Sequence, residues 1–168
     1  KDYQQAADAL QKAMKDTATY GPYDGLQYYM QLGYVPIDKE KEAASKTVEY
    51  AFDDWTIARM AEAMGEQQTA KAFYRRAGNW KHVFDPKTGF IRARKTDGSF
   101  NEPFDPAAVG YGSDYTEGNA WQYSWYEPQD TAGLIKGLGG DAALAAKLDA
   151  VFDTQVDPKE FANVEDIS

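Results

Sequence analysis

The fold is decided by residues 45–65, SKTVEYAFDDWTIARMAEAMG. Apolar side chains in this stretch fall on more than one face of a helix, which predicts a helix that is buried on both sides. Gly65 is a typical residue to end such a helix. A second apolar repeat with helical spacing runs from Ala70 to Phe84 and stops before Pro86, which a helix cannot easily include. We therefore predict two long helices joined by one tight turn.

The segments on either side of this pair are also predicted to be mainly helical. Further helices are predicted over about 2–19, 116–125, 129–138 and 141–152, and the aromatic stretch 23–34 is predicted to be a short helical turn and a loop. A short β excursion is predicted near residues 88–100, because Asp97 and Gly98 form a strong turn pair. About six helices without a βαβ alternation give an all-α fold, which we predict to form part of an (α/α)6 toroid.

The composition excludes several classes of protein and of site. The 168 residues contain 18 Lys and Arg against 27 Asp and Glu, so the formal net charge is -9. A chain this acidic repels nucleic acid, and no apolar stretch approaches the roughly 20 residues that a membrane span requires. The absence of cysteine and the single histidine, His82, exclude thiolate sites and histidine-clustered metal sites. We therefore expect no nucleic-acid partner and no membrane span.

The stretch with the densest chemistry is residues 111–130, YGSDYTEGNAWQYSWYEPQD. It combines carboxylates, amides and aromatic rings. Sugars offer C–H faces to aromatic rings and hydroxyl groups to amides and carboxylates, so this mixture suits a carbohydrate pocket. A buried aromatic helix with capped ends is the alternative that the residues leave open.

Three strings in the chain carry a family resemblance: TVEYAFDDW at 47–55, DPKTGF at 85–90 and TEGNAWQY at 116–123. Together they resemble glycoside hydrolase family 92, whose members are calcium-dependent exo-α-mannosidases that invert the anomeric configuration. The resemblance runs in order from about Gly33 to Asp166. It implies that residues 1–168 are a single helical segment of a larger glycosidase catalytic domain.

The resemblance also implies which residues form the site. Glu117 is expected to be the general acid, because it stands in the motif where the family has this group. Asn119, Trp121 and Gln122 share the motif and are expected to line the sugar site. No residue of this chain is expected to bind a metal, so the calcium ligands are expected outside it. Gln129 departs from the family pattern, which leads us to expect a histidine there.

The same resemblance implies what the segment works with. The substrate is expected to be terminal α-mannose on glycans, and the general base is expected in a later motif of the parent enzyme. An N-terminal β-sandwich domain is expected to help form the active-site cleft. The enzyme is expected to be periplasmic or secreted, although this segment carries no signal peptide. The isolated segment is expected to be inactive.

The chemistry of inversion sets its own requirements. An inverting glycosidase needs a protonated carboxyl group and a carboxylate roughly 6.5–9.5 Å apart, so Glu117 alone cannot complete the reaction. To stay protonated, Glu117 has to be desolvated against aromatic rings such as Trp121 or Tyr115, or to face a second carboxylate. Two other functions stay open at this point: a non-catalytic helical module that binds carbohydrate or protein, and a different α/α-toroid glycosidase.

Three aspartates are expected to have mainly structural roles. Asp53 and Asp54 lie in the middle of a predicted helix, where aspartate is a poor helix former, so both are expected to have fixed partners. Structural hydrogen bonds are favoured over catalysis for these two residues. Asp130 follows Pro128 and has the position of a helix N-cap.

Overall fold

The protein is described by a computed structural model over residues 2–109 and 113–154, with side chains from Gln4 onward. The α-helices are α1 (Asp2–Thr17), α2 (Leu26–Leu32), α3 (Ala43–Ala63), α4 (Gln67–Ala77), α5 (Ala120–Tyr123), α6 (Thr131–Leu138) and α7 (Asp141–Asp153). Short 3-10 helices cover Gly78–His82 and Pro128–Asp130, and the strands β1 (Phe84–Asp85) and β2 (Phe90–Ile91) pair antiparallel. Tyr111 and Gly112 of the aromatic stretch, and the end of the family resemblance at Asp166, lie outside the described residues.

The prediction of two helices joined by a tight turn is confirmed by α3 and α4. Helix α3 buries side chains on more than one side, with Val48 and Ile57 among them. Gly65 adopts a φ of 79°, which the absence of a Cβ makes inexpensive. The N–H of Glu66 then donates to the carbonyl of Ala61 at 2.9 Å, which closes the end of α3 and lets α4 pack back along it.

The predicted helix from Ala70 to Phe84 is wrong over its last part. Helix α4 ends at Ala77, and the chain tightens into the 3-10 helix Gly78–His82 before Phe84 enters β1. This change of pitch turns Trp80 into the core, where its ring lies 5.9 Å from the ring of Phe84 in an edge-on arrangement. Burial of the two aromatic side chains is worth more than the helical hydrogen bonds that the chain gives up.

The predicted β excursion near residues 88–100 begins earlier than expected. Asp85 accepts hydrogen bonds from the Lys87 N–H at 2.9 Å and the Thr88 hydroxyl at 3.0 Å, which forms the turn between β1 and β2. The predicted turn at Asp97-Gly98 is confirmed, and an isolated antiparallel bridge joins Arg94 before the turn to Phe100 after it. The hairpin therefore starts at β1, which the sequence assigned to a helix.

The predicted helical block over 116–125 is wrong in length, because only the single turn α5 forms. Glu117 has a φ of 49°, in the left-handed region, which no helix can continue. Asn119 is extended, with a φ of -141°, and caps α5 from outside it. These two conformations leave residues 113–119 as a loop.

A buried ion pair joins α3 to α4 and gives Asp54 the structural role that the sequence predicted. The Asp54 carboxylate is 1% exposed and lies 2.8 Å from Nη2 and 2.9 Å from Nε of Arg76. The hydroxyl of Tyr29 donates to the same carboxylate at 2.9 Å. Burial raises the pKa of Asp54 to about 6, and the Arg76 guanidinium opposes this shift. Because both charged groups are removed from water, the loss of either partner would leave the other as an uncompensated buried charge.

We expect Arg76→Ala to lower the free energy of unfolding by about 3–5 kcal/mol, because it leaves the buried carboxylate of Asp54 without its cation. Urea denaturation of the purified chain near neutral pH measures this change. Arg75→Ala is the matched control, since Arg75 is exposed on the same helix and its loss is expected to cost less than about 0.5 kcal/mol. Equal effects of the two variants would contradict the assignment.

Candidate active site

The loop of residues 113–119, called here the Glu117 loop, rests on the first turn of α3. The N–H of Glu42 donates to the carbonyl of Ser113 and the N–H of Ala44 donates to the carbonyl of Asp114, both at 3.0 Å. The first N–H groups of a helix have no partner inside it. The loop supplies the missing acceptors, so the position of the loop is fixed by the beginning of a buried helix.

Thr116 is the best-held residue of this loop. Its N–H donates to Oγ of Ser45 at 3.0 Å, and its own Oγ1 lies 2.9 Å from the same Ser45 oxygen. The hydroxyl of Tyr123 donates to the Thr116 carbonyl at 3.0 Å. The backbone immediately before Glu117 is therefore held by side chains from α3 and α5.

Ile91 of β2 holds the Glu117 loop from the other side. The hydroxyl of Tyr115 donates to the carbonyl of Ile91 at 2.5 Å, and the N–H of Ile91 donates to Oγ of Ser124 at 2.9 Å. Tyr115 and Ser124 flank Glu117 in the sequence, and both are buried. One residue of the strand thus ties down both ends of the segment that carries Glu117.

Glu117 itself is exposed, and within the described ranges its carboxylate has no hydrogen bond or ion pair. The next residue, Gly118, is buried, and a Cβ there would lie 2.7 Å from Oε1 of Gln122. The loop therefore turns sharply at Glu117 and Gly118. A fixed backbone with a free carboxylate is an arrangement suited to presenting an acid to a ligand.

The three residues expected to line the sugar site take part in the structure around α5. Asn119 and Gln122 form a capping box, in which the Gln122 N–H donates to Asn119 Oδ1 at 3.3 Å and the Asn119 N–H donates to Gln122 Oε1 at 3.0 Å. The ring of Trp121 stands edge-on to Phe90 at 4.7 Å. Contact of these three residues with a sugar stays a prediction.

An open cavity of about 640 Å³ lies beside the loop, between α1, the turn before α2, and α3. Thr116 contributes to its wall, as do Glu49 and Asp53 of α3. The two acids are four residues apart and so lie on the same face of the helix. Our sequence reasoning missed Glu49, although this spacing within the string at 47–55 was a signal for it.

The cavity disfavours ionised carboxyl groups. Burial raises the pKa of Glu49, with the charges of Asp53 and Glu42 adding to the shift, while the hydrogen bond from Tyr123 opposes it. Desolvation likewise raises the pKa of Asp53. Burial, together with the charge of Glu49, raises the pKa of the Tyr123 hydroxyl to about 12, so this hydroxyl stays a donor.

A third carboxyl group, Glu127, is buried at the end of the aromatic stretch. It is 1% exposed, and Nε2 of Gln129 donates to its Oε2 at 3.1 Å. Burial is the main cause that raises the pKa of Glu127 to about 9, with the charge of Asp130 adding to it. Asp130 accepts the N–H of Gly133 at 3.1 Å, which confirms its predicted role as N-cap of α6.

Comparison with known proteins decides the family. The model of the glycosyl hydrolase family 92 catalytic domain matches residues 1–167. The chain belongs to glycoside hydrolase family 92. This membership excludes the alternative of a different α/α-toroid glycosidase.

Members of family 92 with solved structures match the fold closely. A family 92 α-mannosidase of Bacteroides thetaiotaomicron, solved in complex with mannoimidazole, is 38% identical with a TM-score of 0.86, over 90% of this chain and 20% of its own. An inverting mannosidase of the family from the same bacterium is 32% identical with a TM-score of 0.79, over 95% of this chain and 22% of its own.

A curated relative is more distant. It is an uncharacterized secreted glycosidase of Arthroderma benhamiae, 24% identical over 161 residues, which are 79% of this chain and 21% of the relative. The chain thus spans about a fifth of the length of the proteins it matches. The prediction of an all-α fold that forms part of an (α/α)6 toroid is confirmed by the two structural matches.

Neither a metal-binding group of side chains nor a membrane-spanning helix is found among the described residues. No group of three or more His, Cys, Asp or Glu side chains there is placed to hold a metal ion. Across 2–109 and 113–154, no helix has the length and apolar character that a membrane crossing needs. The expectation that the calcium ligands lie outside this chain stays a prediction.

We expect Glu127→Gln to stabilise the family 92 chain at about pH 7.5 by on the order of 4 kcal/mol. The carboxyl titrates near 9 in the folded state, against about 4.3 in the unfolded chain, so folding at this pH requires proton uptake. The stability that the Glu127 carboxyl contributes is fully present below its unfolded-state pKa. This stability is lost as the pH rises toward the folded-state pKa. The neutral amide avoids this loss, so the variant's advantage grows between about pH 5 and pH 8.

Urea denaturation across that pH range measures the effect, with Glu117→Gln as the matched control. Glu117 is exposed in the same part of the chain, and its replacement is expected to change stability by less than about 0.5 kcal/mol. A Glu127→Gln curve parallel to that of the unmodified chain would show that the carboxyl is ionised in the fold.

Proposed function

We propose that this chain is a segment of the catalytic domain of a larger inverting exo-α-mannosidase, in which Glu117 is the general acid. The substrate in this proposal is terminal α-mannose on glycans. The observation that carries it is the Glu117 loop, in which the backbone beside Glu117 is bonded on both sides while the carboxylate is free. The family match and the α-mannosidase neighbours support the reaction class.

In the proposed reaction, Glu117 gives its proton to the glycosidic oxygen as the bond to the leaving group breaks. A second carboxylate, on the opposite face of the sugar ring, takes a proton from the attacking water, at roughly 6.5–9.5 Å from the acid. That base belongs to a later motif of the parent enzyme. Since Glu117 is exposed in the described segment, the surroundings that keep it protonated come from the parent enzyme and bound substrate.

Calcium dependence is proposed from family membership alone. Calcium prefers six to eight oxygen ligands, roughly, and the described residues offer no such set. Glu49 and Asp53 do not form a calcium site by themselves, because two carboxylates supply at most four oxygen atoms.

The setting of the enzyme is part of the same proposal. In this proposal an N-terminal β-sandwich domain of the parent enzyme, which the family resemblance implies, helps to form the cleft. The chain covers only 20% of the α-mannosidase that it matches, which leaves room for such a domain. A periplasmic or secreted location is supported by the fungal relative, which is described as secreted. The net charge of -9 also disfavours nucleic acid as a partner.

We expect Glu117→Gln in the complete enzyme to lower kcat on α-mannosides with a poor leaving group by about 10²–10⁴-fold, which is the range for loss of a general acid. With an activated leaving group such as 2,4-dinitrophenolate, the loss is expected to be much smaller, because that group needs little protonation to depart. Steady-state kinetics on the two substrates measure the difference.

Glu127→Gln is the control for this experiment, because it makes the same chemical change at a buried position away from the loop. Full activity of Glu117→Gln on both substrates would remove Glu117 from the mechanism. Sugar binding by the complete protein without any turnover would instead favour a non-catalytic carbohydrate-binding module.

We expect the isolated 168-residue chain to release no mannose, because the general base is proposed to lie in another part of the enzyme. Incubation of the purified chain with an aryl α-mannoside, next to the complete enzyme as positive control, tests this. Turnover by the isolated chain, abolished by its own Glu117→Gln variant, would show that the base lies within these residues.

A further inference from the structure

We infer that Ser45, Tyr123 and Glu49 are positioning residues for the general acid, acting on the backbone of Thr116 rather than on the substrate. This inference rests on the proposed role of Glu117. It assigns to three residues outside the acid itself the task of holding the carboxylate where the glycosidic oxygen is expected. None of the three is expected to touch the substrate, because each acts through Thr116.

The hydrogen bonds around Ser45 form a closed set. Its hydroxyl donates to the carbonyl of Glu42 at 2.9 Å. The same oxygen then accepts from the N–H of Thr116 and, since its own hydrogen is in use, from the Thr116 hydroxyl. Ser45 is fully buried, so its hydroxyl is shielded from water. Thr116 is thereby fixed to the first turn of α3 through both its backbone and its side chain.

The Tyr123 hydroxyl lies between two acceptors and has one hydrogen to give. It lies 3.0 Å from the Thr116 carbonyl and 3.1 Å from Oε1 of Glu49. If Glu49 is protonated, it donates to Tyr123, and Tyr123 donates in turn to Thr116. If Glu49 is ionised, it competes with Thr116 for the tyrosine hydrogen. Glu49 thus controls how firmly Tyr123 holds the carbonyl before Glu117.

The ring of Tyr123 is itself held in place. It stacks on Tyr115, with the ring centres 5.7 Å apart and an angle of 24° between the planes. Tyr115 is bonded through its hydroxyl to the carbonyl of Ile91. The hydroxyl that reaches Thr116 is therefore carried by an aromatic pair anchored on β2.

This arrangement matters because Glu117 needs outside support. A non-glycine residue in the left-handed region costs about 1–2 kcal/mol, and Glu117 has a φ of 49°. The carboxylate has no bond of its own within the described residues, so its direction depends on the backbone. Loosening Thr116 lets the acid move, and small displacements of a reacting group cost much of its rate.

The test uses Tyr123→Phe in the complete enzyme, with Tyr126→Phe as the matched control. Tyr126 is a neighbouring tyrosine that is more exposed than Tyr123 and contributes no bond to Thr116. We expect Tyr123→Phe to lower kcat about tenfold on a mannoside with a poor leaving group and less than about threefold on the 2,4-dinitrophenyl substrate. KM is expected to change little, and the control is expected to match the unmodified enzyme.

The ratio of the two rates separates positioning from folding. A variant that only folds less well loses activity on both substrates by the same factor. Ser45→Ala is the second variant and is expected to change the ratio in the same direction. Glu49→Gln keeps a donor toward Tyr123 and is expected to retain the ratio of the unmodified enzyme. Glu49→Ala removes the donor that directs the tyrosine hydrogen toward Thr116 and is expected to alter the ratio.

Each outcome bears on a defined part of the inference. An unchanged ratio in both Tyr123→Phe and Ser45→Ala, alongside a large leaving-group effect in Glu117→Gln, overturns the positioning role and leaves the proposed acid intact. A Glu117→Gln variant without any leaving-group effect overturns the proposed function instead. Glu49→Gln and Glu49→Ala ratios that both equal the ratio of the unmodified enzyme remove Glu49 from the positioning set.

Discussion

The site depends on one constraint: the N–H groups at the beginning of α3 have no acceptors within the helix and need them from elsewhere. Helix α3 starts in the protein interior, where Ala43, Ala44 and Ser45 have no exposed surface. A buried donor without an acceptor costs about 1–3 kcal/mol, so this helix start requires partners. The backbone carbonyls of Ser113 and Asp114 provide them. The loop that carries Glu117 thus supplies the hydrogen-bond acceptors that the beginning of α3 requires.

The same requirement explains why the site combines a rigid frame with a free carboxylate. Backbone bonds to α3, the Ser45 hydroxyl and the two side-chain bonds at Ile91 all fall on residues before or after Glu117. Each contributes about 1 kcal/mol, and together they offset the cost of the left-handed residue. Glu117 is left with its backbone fixed and its side chain in solvent. The described segment therefore fixes the backbone of Glu117 but does not enclose its carboxyl group, which other parts of the enzyme are proposed to do.

Sequence reasoning worked where the physics is local. The period of apolar residues predicted α3, α4 and the C-terminal pair α6 and α7, and Asp130 was identified as an N-cap from its position after Pro128. The family strings predict Glu117 as the general acid, and this role stays a prediction. These features depend on contacts between residues that are close along the chain.

Sequence reasoning failed where distant residues decide the local conformation. The helix expected over 116–125 shortens to α5 because Ser45, 71 positions away in the sequence, holds Thr116 in the loop before Glu117. The end of α4 changes pitch because Trp80 gains more from the core than from helix geometry. The burial of Glu127 could not be predicted from the sequence. It depends on how separate elements pack together, and the spacing of apolar residues within one element does not show this. Its neighbour Gln129, which departs from the family pattern, donates directly to it.

The double attachment of the Glu117 segment to Ile91 has a consequence for chain length. Tyr115 bonds to the carbonyl of Ile91 and Ser124 to its N–H, so the two anchors lie at fixed positions. The segment between them must have the length that connects these positions. An insertion or deletion here would move one anchor out of reach. Evolution is therefore expected to keep the length of this segment fixed and to change the length of the chain elsewhere, in exposed turns that hold no such pair of anchors.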